Sequence, residues 1–518
     1  MSRDAILSLI CCALLALGVP ALAETWNGGG GDDAWTTGGN WVGGVAPASS
    51  NTTNLNFAGT TRLAPVVDTN NPWTLRSLFF DAGAGAFTIG GNALDFAVNT
   101  EFIRNNSSNT QTFSNEVRVS AGGTITANSA PLVFNGPMVV TGTPFFRGGQ
   151  AVTINGLISG TGGISRTDGG TLTLANNANN FTGNVLVAHG VLSVGTIADS
   201  GVACALGAGN TITLAQKIYG TADTGTLRYT GATASTNRTV LMQSDSAAGD
   251  PNIEVTTAGT VLTFNGNFQY SSGSTNGRWF LKGAGDGVIN GNITTTGAAL
   301  YKQGAGTWTL NGANTYTGTT VLDQGVLILG STGGPAIVGN VQMGAGNTNQ
   351  PHLRMAAADQ FGPGVVMSFA NTSGNWARFD LQGTNQTLAG LVAGTASTQG
   401  GAVVQNRKLG DSTTQHGPAT LTLNGSGTYL YNGYLRDVDG GSVGNNTLAV
   451  IKDGTGTQTF VGSQITYTGG TTINGGTLAM GSANLLNMNA PLTINAGGTF
   501  DLGEIGRASC RERVYHPV

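Results

Sequence analysis

The sequence predicts an all-β chain folded as a right-handed parallel β-helix, or β-solenoid, with an N-terminal cap. Three observations carry that prediction. Gly supplies 84 of 518 residues, about twice its usual ~7% share, while charged residues make up only 9% against a typical ~25%. Apolar side chains recur with the two-residue period of a strand that buries one face. Three widely separated segments repeat one pattern of strand-like runs and Gly/Asn turns.

The scarcity of charge excludes a long charged helix or coiled coil. It also argues against a nucleic-acid partner, which needs a basic surface. Gly and Pro together stay below the share that marks low-complexity disorder, and 39% hydrophobic residues suffice for a core.

Both ends read differently from the middle. Residues 1–23 have the pattern of a secretory signal peptide: Arg3, an apolar run from Ala5 to Leu17, and an A-x-A cleavage site at Ala21, Leu22 and Ala23. The mature chain is then expected to begin at Glu24. At the other end, the eleven residues Glu504 to Val514 contain five charges. This string resembles a sequencing adapter translated in frame, so residues 504–518 read as a non-native tail on a gene truncated near Gly503. Between the two ends one cysteine remains, Cys204, so no internal disulfide is available there. A secreted chain that must cross a narrow pore unfolded gains from lacking cross-links.

Residues 24–140 read as the N-terminal capping and first solenoid region, and 141–503 as the solenoid proper. The repeat units lie near 166–195, 302–330 and 452–481. The first runs from Gly170 through Thr171, Leu172, Thr173 and Leu174 to Phe181-Thr182-Gly183, and closes at Gly190 to Gly195. The second uses Gly306, Thr307, Trp308, Thr309 and Leu310, then Tyr316-Thr317-Gly318, then Gly325 to Gly330. The third uses Gly456, Thr457, Gln458, Thr459 and Phe460, then Tyr467-Thr468-Gly469, then Gly476 to Gly481. A basic residue stands four positions before each opening Gly: Arg166, Lys302 and Lys452. Gly and Asn suit the turns because they tolerate positive φ. One unit, read as one coil, cannot bury its apolar residues alone, but coils stacked at ~4.8 Å can. The competing architecture is a row of antiparallel β-sandwich modules.

These segments resemble the autotransporter-associated β-strand repeat, also called the passenger-associated transport repeat. The likeness rests on G-T-x-T-L/F, an aromatic-T-G and G-x-L-x-L/M-G, and is clearest from Lys302 to Gly330. The start, with Trp26-Asn27-Gly28-Gly29, Trp35, Gly39-Asn40-Trp41 and Val45-Ala46-Pro47, resembles the start of such proteins. The resemblance implies a bacterial protein, secreted or held at the cell surface or outer membrane. Its long β-helical passenger would have a structural or adhesive role, and the repeats would aid export and folding. It implies as partners the outer-membrane translocation machinery or a missing C-terminal barrel, with surface glycans or other cell-surface proteins as adhesion targets. It brings no enzyme activity.

The search for chemistry yields no catalytic, cofactor or metal site. His189, His352 and His416 are far apart and form no HExxH motif. His189 reads as a solvated turn residue. There is no P-loop, since no Gly-Lys dipeptide occurs. Cys204 reads as a buried, inert thiol. Gly28 to Asp33 offers only a single copy of a calcium-type repeat, which needs tandem copies. The alternative function is a carbohydrate-active β-helix enzyme, a polysaccharide lyase or hydrolase. Its best carboxylate cluster is Arg436-Asp437-Val438-Asp439, which otherwise reads as a solvated loop in a connecting turn. Trp26, Trp35 and Trp41 either stack on sugars or, the reading preferred here, close the open end of the solenoid.

Overall fold

A computed structural model describes residues 23–503 except 216–223, 243–249, 271–276, 295–296, 345–348, 371–374, 395–400, 407–415, 439–444, 463, 482–485 and 487–489. The signal peptide through Leu22, the tail 504–518 and Asp439 lie outside the described residues. The described elements are short strands and a single 3₁₀ turn, Gly38–Asn40. No helix among them is long and apolar enough to cross a membrane.

The chain is a parallel β-solenoid, not a set of antiparallel sandwiches: the strand ladders pair in parallel throughout. It divides into two compact units. The first comprises residues up to Gly195 with Gly201–Asn210, and the second Thr196–Ser200 with the chain from Thr211 onward. In the first unit, one sheet stacks Trp73–Leu75, Leu94–Phe96, Val117–Val119, Met138–Val140 and Ile158–Ser159. In the second, a ten-stranded sheet runs from Ala234–Thr236 to Gln464–Ile465, and a five-stranded sheet from Gln386–Leu388 to Leu492–Ile494.

Period-two alternation puts apolar residues in inward columns, one residue per coil. Leu55 stacks on Leu78, Leu78 on Ile103, Ile103 on Ile125 and Ile125 on Phe146, all fully buried. Asparagine ladders hold several turns in step. Asn290 Nδ2 donates to Asn265 Oδ1 at 2.8 Å, and Asn311 Nδ2 to Asn290 Oδ1 at 2.9 Å. Side-chain amides suit such ladders because each offers both a donor and an acceptor to the coils above and below. Coil length varies: a short coil stacks Phe146 on Arg166, while a much longer one separates Ala393 from its partner Tyr431.

The N-terminal tryptophans form the cap and are not available as a sugar platform. Trp26, Trp35 and Trp41 are at most 1% exposed and pack edge-to-face with one another and with Trp73. The 3₁₀ turn brings Trp41 back beside Trp26 in an antiparallel bridge, with Val42 N–H donating to Thr25 O at 2.9 Å. Reversing the chain direction there covers the first strand, Glu24–Trp26, whose free edge would otherwise invite pairing.

The repeat is not one coil. In all three copies the first half stacks on the second. Leu300, Tyr301 and Lys302 pair with Thr320, Val321 and Leu322, and Thr307–Leu310 pairs with Val326–Leu329. Ile164–Leu174 stacks on Val185–Val194 in the first copy, and Phe460 on Met480 in the third. Each repeat therefore contains two rungs that bury apolar residues against each other, contrary to the expectation that one unit lacks a partner for its apolar face.

Candidate functional site

The common feature of the repeats is a cation inside the core. Arg166, Lys302 and Lys452 are at most 2% exposed. They occupy inward columns: Lys302 lies between Leu281 and Leu322, and Lys452 between Leu423 and Ile473. Backbone carbonyls of the corner compensate the charge. Lys302 Nζ donates to Gln303 O (3.1 Å), Gly304 O (2.7 Å) and Gln324 O (3.0 Å), so it ties the corner of one rung to that of the next. Lys452 Nζ donates to Asp453 O, to Gly454 O at 3.2 Å and to Gly475 O at 3.3 Å. Arg166 Nε donates to Gly170 O (3.0 Å) and its Nη2 to Gly148 O (2.6 Å).

Three ammonium protons match three carbonyls, yet removal from water still penalises the charged form. Burial lowers Lys302 to about 7, against the opposing pull of Asp286 and Asp323, and lowers Arg166 to about 10. Lys452 shifts downward for the same reason. The fixed glycines complete the corner. Gly190, Gly325 and Gly476 have φ of +80°, +74° and +61°. A Cβ on Gly325 would lie 2.4 Å from Gly304 O and 2.8 Å from Lys302 Nζ. The basic residues were visible in the sequence only as a fixed spacing, because nothing in the residue type announces that a lysine points inward.

A second set of buried polar groups bridges coils. Asn314 Oδ1 accepts from Ile293 N–H and its Nδ2 donates to Ala336 O, both at 2.8 Å, which joins the coil before to the coil after. Asn179 does the same between Ile158 and Ala205 in the first repeat. Gln458, which breaks the Leu172/Trp308 pattern, is fully buried and forms a two-way bond with the Leu391 backbone at 3.0 and 3.1 Å. It fills a gap where the coil below pairs only through Ala393 and Tyr431.

The other sequence candidates do not converge. His189 is half-buried within the strand Val185–Val194, at a register shift opposite Thr167, instead of in a solvated turn. Cys204 is buried and its thiol donates to Gly207 O at 3.3 Å. His416 N–H is held by Asn446 Oδ1, and His352 lies on another coil. Asp32 is exposed, and its carboxyl is lowered mainly by the Thr37 hydroxyl and the Ala34 N–H. Asp33 pairs with Arg62 at 3.5 Å. Among the described residues no three His, Cys, Asp or Glu are grouped closely enough to hold a metal ion.

Arg436 ends the strand Tyr434–Arg436, so this stretch is a rung with a corner after it, not a free loop. Asp437 is committed to that corner. Its Oδ1 accepts from Leu448 N–H (2.7 Å) and Thr468 N–H (3.1 Å), and its Oδ2 from the Thr468 hydroxyl (2.7 Å).

Comparison with known proteins agrees with this architecture. The passenger-associated transport repeat model matches residues 165–194, 300–329 and 450–480, the segments that contain the buried cations. The chain is 31% identical over 419 residues to the adhesin BmaC autotransporter of Brucella suis biovar 1 (strain 1330). That alignment covers 74% of this chain and 12% of the relative, so the chain spans about an eighth of the length of the protein it matches. No solved structure matches. The chain thus carries three segments that match the passenger-associated transport repeat, and most of its length is similar to part of an autotransporter adhesin.

Proposed function

We propose that the chain is part of a bacterial cell-surface passenger with a structural and adhesive role and no catalytic function, whose three repeats nucleate folding after export. The observation that carries this reading is the self-pairing of each repeat around a buried cation. Neighbouring strands of one repeat stack on each other, so a repeat gains apolar contacts and a compensated charge as soon as its own residues are together. Short sequence separation lowers the loop-closure cost of that first step. A stack begun there offers a template edge to the next coil as it emerges.

The adhesive part of the reading is supported by the name of the relative and by the long outward faces of neutral Thr, Asn and Val that the stacked coils present. The enzyme alternative loses its anchor, since Asp437 is tied into backbone bonds. Display of residues 24–503 on a bacterial surface tests the role. Increased attachment to host cells or to neighbouring bacteria is expected. Slower protease protection after export is expected when Lys302 and Lys452 are both replaced by Met. Release of sugar products from polysaccharides would contradict the non-enzymatic reading.

A further inference from the structure

In the second unit, the sheet from Gln386–Leu388 to Leu492–Ile494 carries a notch on its outer face. Two outward columns run side by side along four of its strands. One is Thr422, Ile451, Thr472 and Thr493, one residue per coil. The other begins with Thr420 on Ala449. It continues through Gly470 and Pro491, whose carbonyls accept from Val450 N–H (3.0 Å) and Thr471 N–H (2.8 Å). Ala449 has one methyl and Gly470 has no side chain. This column is therefore empty between Thr420 and Pro491, three coil steps of ~4.8 Å apart. The gap is built into the backbone: Gly470 holds φ +93°, and a Cβ there would meet Pro491 O at 3.2 Å.

The notch has a volume of about 140 Å³. That is below the ~300–1,000 Å³ of pockets that enclose larger ligands, so it suits a single ring. No charged side chain lines it. Ala449 and Ile451 supply methyl surface, and the exposed Pro491 supplies a ring face. Thr420, Thr472 and Thr493 stand around it, half-buried or exposed. None of their hydroxyls is hydrogen-bonded among the described residues. Gly470 is buried, and its N–H donates to no described group. Buried N–H groups are nearly always paired, so this one points to an acceptor on a ligand.

We infer that this notch binds one neutral pyranose unit of a glycan. A pyranose presents apolar C–H faces together with hydroxyls that both donate and accept. The C–H faces lie against Ala449, Ile451 and Pro491, where both surfaces leave water. The hydroxyls meet those of Thr420, Thr472 and Thr493, which also donate and accept, and a sugar oxygen accepts from Gly470 N–H. With no cation in the lining, a carboxylate or sulfate on the ring would lose water without compensation. Weak affinity at one site suffices on a surface that displays many copies. The inference rests on the adhesive reading and names its ligand class.

Ligand-observed NMR titration of the full chain with methyl β-galactoside, methyl β-glucoside and methyl α-mannoside tests it. Saturable binding of at least one is expected. Ala449→Leu, which fills the notch, should weaken it at least tenfold. So should Thr472→Val combined with Thr493→Val, which removes two hydroxyls at constant volume. Thr309→Val, an outward threonine of another sheet, should leave it unchanged. A methyl glucuronoside should bind at least tenfold more weakly than the best neutral glycoside. Circular dichroism and the urea midpoint separate loss of fold from loss of binding, and the threonine pair keeps the test open should Ala449→Leu fail to fold. No saturable binding, unchanged binding in the folded notch variants, equal loss in Thr309→Val, or equal binding of the glucuronoside overturns the inference. Attachment of cells displaying the chain separates the two readings. Normal attachment without glycoside binding sinks the notch alone, whereas glycoside binding that Ala449→Leu abolishes, without any attachment, sinks the adhesive role.

Discussion

The hydroxyl of Tyr316 lies 2.7 Å from that of Thr320, and both residues are fully buried. Tyr467 and Thr471 make the same buried pair in the third repeat. In the first repeat the two positions are Phe181 and Val185, which are apolar together. Both hydroxyls are present or both are absent, as expected when an unpaired buried hydroxyl costs more than a pair gains.

A double-mutant cycle follows from this pairing. Tyr316→Phe and Thr320→Val should each lower stability by about 1–2 kcal/mol, while the double variant should lose less than the sum. Urea unfolding of the four proteins measures the coupling. Additive losses would show that the pair does not act together.

Lys302 should make stability depend on pH. Its folded value of about 7 lies below the ~10.4 of an unfolded lysine. Between those values the unfolded chain holds a proton that the folded chain has released, so stability rises with pH across that window. Below pH 7 both states are protonated and the contribution is flat. Lys302→Met should remove this rise and, by leaving the three carbonyls without a donor, lower stability by about 1–3 kcal/mol. Urea midpoints at pH 6, 8 and 9.5 for both proteins test the sign.

Gly325→Ala should destabilise by more than about 2 kcal/mol, because positive φ and a backbone clash act together. Gly364 has φ +80° but open space around it, so Gly364→Ala should cost only about 1 kcal/mol. Equal losses at the two sites would mean that the crowded corner around Lys302 relaxes freely.

Trp41→Ala should cost about 3–5 kcal/mol in the first unit. Its indole N–H donates to Trp35 O at 2.8 Å, and its ring closes the cap. Exposure of the first strand should also raise association, read by light scattering against concentration.

Within the second unit, Leu492 is 43% exposed and Ile494 50%, in a strand that pairs with Thr471–Ile473. This apolar edge should make the 518-residue chain associate as concentration rises. Replacing both residues with Lys should abolish the effect. A strictly monomeric chain at high concentration would show that the edge is protected.

The sequence by itself determined the fold class and the position of the repeats. Period-two alternation, such as Leu327 and Leu329, states which side chains are buried whatever the neighbouring coil is. Fixed glycines such as Gly325 marked the corners, since few other residues accept positive φ. Which strand lies on which was decided only by the tertiary structure. The inward column of Lys302 follows from Leu281 and Leu322 on the adjacent coils, and not from its own type. The same is true of Asp437, which looked like half of a carboxylate pair until Leu448 and Thr468 came within reach. The buried contacts of Asp380 with Arg354 and Gln405 were equally hidden, because these residues are scattered along the sequence and meet only through parallel stacking of neighbouring coils. Local pattern fixes burial, but partnership between polar groups depends on register, and register across coils of such unequal length is a property of the whole stack.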